Sequence, residues 1–357
     1  MSRSLAAVYS GFPGRIALQQ IETPTPRRGE IVVRVLGCTL CGSDRHSVEG
    51  RRTVPIPTIL GHEIVGEIVA TGLDAPTCDV TGHPIGLGSR ITWAIVAHCG
   101  VCFFCHRNLP QKCLNAVKYG HERFRPGEEL LGGLAEHCLL VRGTSIVAIP
   151  EELPLEVACP ASCATATIAA ALEAVGDLSG RTVCVLGAGM LGLTACGMAR
   201  SRGATQVVCV DHLPQRRDHS LRFGATAAIA GDQLADCRED ADLKHGFDVV
   251  LELTGSPQAF ELGWSHARTG GHLALVGAVF PSEPFPLPLE QVVRRHLTLT
   301  GIHNYAPRHL VQAVEFLTDT RNNYPWEKLV SSWVSLSECQ SAFEIGAGEA
   351  IRIGIRP

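Results

Sequence analysis

The sequence has no uninterrupted apolar run of membrane-spanning length, and a helix needs about 20 such residues to cross the hydrocarbon of a bilayer. No membrane partner is expected. Charge of one sign is scarce too, since 31 Lys and Arg against 35 Asp and Glu leave a net charge of −4. No long basic run appears, so the electrostatic footprint of a nucleic-acid binder is missing. The opening Met1-Ser2-Arg3-Ser4-Leu5-Ala6-Ala7-Val8 carries neither the long apolar core nor the cleavage signal of a secretory leader. The expected location is therefore cytoplasmic. Internal repeats and low-complexity tracts are absent as well, which excludes solenoids and linker-like segments.

Cysteine, in contrast, is plentiful, with fifteen in the chain. In a reducing compartment that abundance points to metal rather than to disulfides. Cys184 and Cys209 lie in apolar strand-like runs and Cys196 in a helix-like one, where a thiol behaves as a small hydrophobe. At 357 residues the chain is long for one domain and comfortable for two. Its 45% hydrophobic content, 18% charge and 37 glycines describe an α/β protein rich in tight turns.

The stretch Cys41-Gly42-Ser43-Asp44-Arg45-His46, followed after fifteen residues by Gly61-His62-Glu63, offers a thiolate and an imidazole. Both are side chains that zinc prefers, and a carboxylate stands beside the second. Ser43 and His46 add a hydroxyl and a second imidazole that can pass a proton. Around this stretch, residues 5 to 100 show short β-like runs broken by Gly and Pro, such as Ile31–Val35, Ile64–Val69 and Arg90–Trp93. That pattern predicts a β-rich, barrel-like domain. Cys99, Cys102, Cys105 and Cys113 follow. Four thiolates so close together can wrap one zinc on a lobe with little core of its own, filling every position of a closed structural site.

Around Glu151–Val175 the pattern changes: Leu155–Thr167 leads into an Ala-rich helix, Ile168–Val175, at the expected crossing from the first domain to the second. Then Thr182–Leu186 reads as a buried strand, Gly187-Ala188-Gly189-Met190-Leu191-Gly192 as a turn, Leu193–Arg202 as a helix and Gln206–Val210 as the next strand, closed by Asp211. A G-x-G-x-x-G between strand and helix, with an acid about twenty residues on, predicts a dinucleotide site. Its glycines let backbone amides approach a pyrophosphate at the helix N-terminus. Asp211 is placed to accept hydrogen bonds from ribose hydroxyls and to repel a 2′-phosphate, favouring NAD, although Arg216 and Arg217 nearby oppose that preference.

These residues resemble the zinc-dependent alcohol dehydrogenases of the medium-chain dehydrogenase/reductase superfamily over essentially the whole chain. The resemblance implies a GroES-like catalytic domain over residues 1–163 with its zinc lobe at about 98–114. It implies a Rossmann NAD-binding domain over 164–300 and a C-terminal segment, 301–357, that packs back on the first domain. It implies two zincs per chain, one on Cys41, His62 and Cys163 and one on Cys99, Cys102, Cys105 and Cys113. Cys159, four residues before Cys163, is the competing third ligand. Glu63 would stand behind the catalytic metal and can exchange as a ligand, Asp44 would orient His62, and Ser43 and His46 would form the proton relay. Arg352 resembles the arginine that some members aim at the pyrophosphate.

Gln111-Lys112-Cys113, Lys118-Tyr119-Gly120-His121, Ala161–Thr167 and Gly301–Tyr305 further resemble a subgroup called phosphonate-catabolism-associated alcohol dehydrogenases. Beside that likeness, Arg45, Arg51 and Arg52 are candidates to grip an anionic substrate, or simply a solvated turn. The implied activity is hydride transfer between a small-molecule alcohol and NAD. Neutral alcohols or polyols are the alternative substrates, and a non-catalytic nucleotide-binding member of the fold is the alternative class. A homodimer or homotetramer is expected, with Leu297–Ile302 as the candidate interface.

Overall fold

Thr39, near the end of strand Ile31–Thr39, stands opposite Glu63 on one neighbouring strand and opposite Gly354 on another, and this register builds the first unit. The computed structural model describes residues 2–13, 16–281, 283–345 and 350–357. The chain divides into two compact units, residues 1–166 with 304–357, and residues 167–303.

In the first unit, strands run in the order Ile146–Ala148, Arg90–Trp93, Glu63–Thr71, Ile31–Thr39, Arg352–Arg356 and Val330–Ser335, and His137–Leu140 also pairs with Ile31–Thr39. A smaller sheet joins Ile16–Glu22, Arg3–Tyr9 and Thr58–Ile59. Val33, Ile64, Ile91, Leu134 and Ile353 lie in one buried cluster between these elements. The C-terminal strand Arg352–Arg356 pairs antiparallel with Ile31–Thr39, so residues far apart in sequence complete one sheet.

The second unit is a parallel six-stranded sheet in the order Ala227–Ile229, Gln206–Val210, Thr182–Leu186, Phe247–Glu252, Ala267–Leu275 and Thr298–Gly301. Read along the chain, the order is 3-2-1-4-5-6, the doubly wound dinucleotide fold. Thr182–Leu186 is buried at every position, as a central parallel strand covered on both faces must be. Helix Met190–Ser201 begins three residues before the expected Leu193, because Gly189 already has the extended backbone of an N-cap. The Ala-rich helix likewise begins early, at Ala164. Among the described residues, no single helix is long and apolar enough to cross a membrane.

Candidate zinc and dinucleotide sites

The ladder that opposes Thr39 to Glu63 and Gly354 also sets Cys41 beside His62, Glu63 and Arg352. Cys41 is the residue before helix Gly42–Val48, which carries Ser43, Asp44 and His46. Cys163 arrives from elsewhere, at the break between the 3₁₀ turn Cys159–Ser162 and helix Ala164–Val175. Ser162 ties that break to the metal loop: its Oγ donates to His62 O at 3.0 Å and accepts from Ile64 N at 3.3 Å. Tyr305, fully enclosed, donates its hydroxyl hydrogen to Ser162 O and accepts from Ile95 N at 3.2 Å.

The result is three donors, Cys41, His62 and Cys163, with their ligand atoms within 4.8 Å of one another. The Sγ atoms of Cys41 and Cys163 are 3.8 Å apart. Two sulfurs bound at about 2.3 Å to one tetrahedral centre would be separated by roughly that distance. Cys159 is turned away, its Sγ 3.4 Å from Gly37 O, and burial raises its thiol above the ordinary range. The competition between Cys159 and Cys163 is thus decided by the backbone break at 163.

The electrostatics suit a cation. The Cys163 thiol, hydrogen-bonded to Cys41, holds Cys41 well below the ordinary thiol range against the effect of burial, and Arg352 assists. Cys163 is raised in turn by sharing that hydrogen bond, so one proton serves two sulfurs where a metal would need none. Burial opposes charge on His62, yet Asp44 and Cys41 override it and raise the imidazole to about 10. Asp44 Oδ1 is 3.3 Å from His62 Nδ1. Asp44 also accepts from Cys41 N at 3.0 Å and Gly61 N at 3.2 Å, which holds its carboxylate beside His62 Nδ1 and leaves Nε2 as the nitrogen that would ligate a metal. Ser43 Oγ lies 3.4 Å from that Nε2. His46 follows three residues later on the same helix, with Nδ1 3.8 Å from Glu49 Oε2.

Arg352 is paired inside the first unit. Its Nε and Nη2 donate to Glu63 at 2.8 and 2.9 Å, and Nη2 is 3.7 Å from Cys41 Sγ. The strand register sends it behind the metal donors, where Glu63 also accepts from Thr39 Oγ1 at 2.6 Å. The arginine loop separates as well. Arg45 is buried and donates to Ile345 O, Arg51 pairs with Glu49 at 3.0 Å, and only Arg52 keeps its guanidinium without a partner among the described residues.

Cys99, Cys102, Cys105 and Cys113 form the second donor set. Their sulfur separations are 3.5, 3.5 and 3.9 Å, again near tetrahedral edges. The amides of Cys99 and Asn115 point at Cys113 Sγ from 3.3 and 3.4 Å. Amides of Cys105 and Leu114 draw Cys102 down to about 6, while burial pushes Cys105 up to about 11.

In the second unit, Gly187, Gly189, Met190, Leu191 and Gly192 carry the chain from strand Thr182–Leu186 into helix Met190–Ser201. A Cβ on Gly192 would stand 1.8 Å from Gly187 O, so only glycine allows this turn; one on Gly189 would meet open space, the gap a pyrophosphate requires. Asp211 accepts from Ala188 N at 2.8 Å and Leu213 N at 2.9 Å, holding the acid against the glycine turn. Arg217 donates to Asp211 O at 2.8 Å and His212 O at 3.2 Å, while Arg216 lies beside it on helix Pro214–Arg222. Glu252 ends strand Phe247–Glu252 and belongs to no motif legible in the sequence. It is buried and accepts from Thr254 N at 2.7 Å and Gly255 N at 2.9 Å, shaping a loop at the carboxyl edge of the sheet.

A doubly wound dinucleotide fold joined in one chain to an open Cys/His/Cys donor set and a closed Cys₄ set defines a zinc-containing, nicotinamide-dependent oxidoreductase. The model of the alcohol dehydrogenase GroES-like domain matches residues 27–151 and that of the zinc-binding dehydrogenase matches residues 191–319. L-threonine 3-dehydrogenase of Pectobacterium carotovorum is 31% identical over 291 residues, 79% of each chain. 5-exo-hydroxycamphor dehydrogenase of Pseudomonas putida is 28% identical over 349 residues, 95% of this chain and 94% of that one. An alcohol dehydrogenase from Thermotoga maritima superposes with a TM-score of 0.92 at 29% identity over the whole of both chains. The chain belongs to the zinc-dependent medium-chain alcohol dehydrogenase family.

Proposed function

We propose that the protein exchanges hydride between an alcohol and NAD at the site formed by Cys41, His62 and Cys163. The observation that supports this reading best is a donor set of three, which leaves a tetrahedral metal one open position. A zinc ion on these residues would supply the Lewis acidity that makes a substrate hydroxyl acidic near neutral pH, and NAD would supply the hydride chemistry. The chain's own groups do the rest. Asp44 holds the His62 tautomer. Ser43 Oγ accepts the hydroxyl proton and passes it toward His46. Glu63, paired with Arg352, stands ready as an alternate ligand. Asp211 accepts the ribose hydroxyls and repels a 2′-phosphate, and the Arg217 guanidinium is committed to main-chain carbonyls rather than to phosphate.

The relatives named for threonine and for hydroxycamphor differ too much in polarity to choose a substrate. The likeness to the phosphonate-associated subgroup supports anionic alcohols as the finer reading. We also infer self-association through strand Thr298–Gly301, one of the two edge strands of its sheet among the described residues. Leu289 and Val293 on the preceding helix are exposed apolar neighbours. All fifteen cysteines are free, which supports a reducing compartment such as the cytoplasm.

The test is NADH formation with neutral alcohols, hydroxy acids and hydroxyphosphonates, with and without a chelator. Chelator-sensitive turnover that disappears in Cys41→Ala, with NADH binding retained, is expected. A fully active Cys41→Ala enzyme would refute the zinc role.

A further inference from the structure

The turn Lys118-Tyr119-Gly120-His121 carries groups that the zinc mechanism leaves unused. Tyr119, fully buried, anchors the turn: its amide donates to Ile95 O, and its hydroxyl meets Thr144 Oγ1 at 2.6 Å and Val141 N at 3.0 Å. Gly120, at φ +74°, presses on the metal loop so closely that a Cβ would stand 2.8 Å from Gly61 O. Lys118 and His121 are thereby placed next to the His62 loop. The rings of His121 and His62 are 5.1 Å apart.

His121 is 6% exposed. Its Nδ1 is 2.9 Å from Tyr119 O. A carbonyl only accepts, so Nδ1 carries the proton and Nε2 is a bare acceptor. That Nε2 is buried without a hydrogen-bond partner, which costs free energy unless a ligand supplies a donor.

Lys118 and Arg52 are the cations beside it. Burial and then Arg52 push the Lys118 ammonium down to about 8, while the thiols of Cys163 and Cys41 pull the other way. Lys118 is therefore within electrostatic reach of both Arg52 and the catalytic donors. Among the described residues neither cation has a carboxylate partner. The charges nearer the donors have partners: Glu63 pairs with Arg352, Asp44 stands beside His62, and two thiolates would offset a zinc dication. Two like charges crowded together and partly desolvated are unfavourable until an anion joins them.

We propose that Lys118, Arg52 and His121 form a subsite for an oxyanion group, a carboxylate, phosphate or phosphonate, carried by the alcohol oxidised at Cys41, His62 and Cys163. Lys118 and Arg52 bind its oxygens by charge-assisted hydrogen bonds. His121 Nε2 accepts from an acid O–H or a neighbouring hydroxyl of the same ligand. This proposal rests on the dehydrogenase reading and names the substrate class that it leaves open.

The experiment is calorimetric titration of the zinc- and NADH-loaded protein with methylphosphonate, inorganic phosphate, acetate and methanol as probes. A saturable oxyanion is expected, weakened at least about tenfold, or about 1.4 kcal/mol, in Lys118→Met and in Arg52→Met. Lys118→Arg should recover most of the binding, which a purely structural lysine would not predict. Preference for acetate assigns the subsite to hydroxy acids, and preference for methylphosphonate or phosphate assigns it to phosphoryl-bearing alcohols. An oxyanion that binds both Met variants as well as the wild type sits elsewhere, on the metal for example, and overturns the proposal, as does failure of the wild type to bind any oxyanion. Zinc content and chelator-sensitive turnover of neutral alcohols by the wild type test the dehydrogenase reading separately.

Discussion

Glu63 and Arg352 share two hydrogen bonds inside the first unit, 2.8 and 2.9 Å long, with both side chains almost fully enclosed. Removing one charge strands the other in a low-dielectric interior, where breaking a buried pair typically costs about 3–5 kcal/mol. Arg352→Met is therefore expected to lower unfolding stability by about that amount, read from the denaturant midpoint at unchanged slope. A loss below about 1 kcal/mol would mean that the pair is open to water. His46 makes a different prediction. Burial and the charge of Arg51 lower its imidazole from the usual value, so it stays neutral, and able to take a proton, into mildly acid solution. The rate of alcohol oxidation should fall only as pH drops through that lowered value. His46→Gln should lose this ionisation, and its deficit relative to wild type should be largest above that value, where the wild-type imidazole is neutral, and shrink below it. Superimposable pH–rate profiles would remove His46 from the relay.

At the scale of elements, the segment 99–113 has two short 3₁₀ turns and exposes Val101 and Phe103. Its folding free energy must come largely from the metal. Cys102→Ser should drop bound zinc from two ions to one per chain, with metal analysis as the check, and should raise proteolytic cleavage within the lobe. Retention of two zincs would show that the lobe is not a four-thiolate site. The four cysteines are legible from spacing alone because a local loop brings them together. The open site is only half legible. Cys41 and His62 come as recognisable motifs, but the choice of Cys163 over Cys159 depends on a backbone break between two helical segments.

At the scale of the molecule, the second unit keeps Asp211 at the carboxyl edge of its sheet, bonded to the glycine turn. Asp211→Ala should raise the KM for NAD at least about tenfold and narrow the gap to NADP, since about one charge-assisted hydrogen bond pair is lost. A wild type that prefers NADP would contradict this assignment. Sedimentation equilibrium should find a dimer or larger, and a charge placed on the outer strand, Leu299→Lys, should shift it toward monomer. A monomeric wild type at micromolar concentration would contradict the edge-strand interface.

Composition, strand and helix periodicity, the glycine turn and the cysteine spacings are local properties. They sufficed to predict a β-rich unit, a doubly wound unit and the four-cysteine set, since each arises from residues close together in sequence. The tertiary structure decided what depends on register across long separations. Thr39 faces Glu63 and Gly354 across 24 and 315 residues, so Arg352 meets Glu63. The same holds for the turn that brings Lys118 and His121 to His62, which no spacing announces. Short-range pattern encodes which elements form, while side-chain neighbours at a site depend on how strands pair, and pairing is a property of the whole fold.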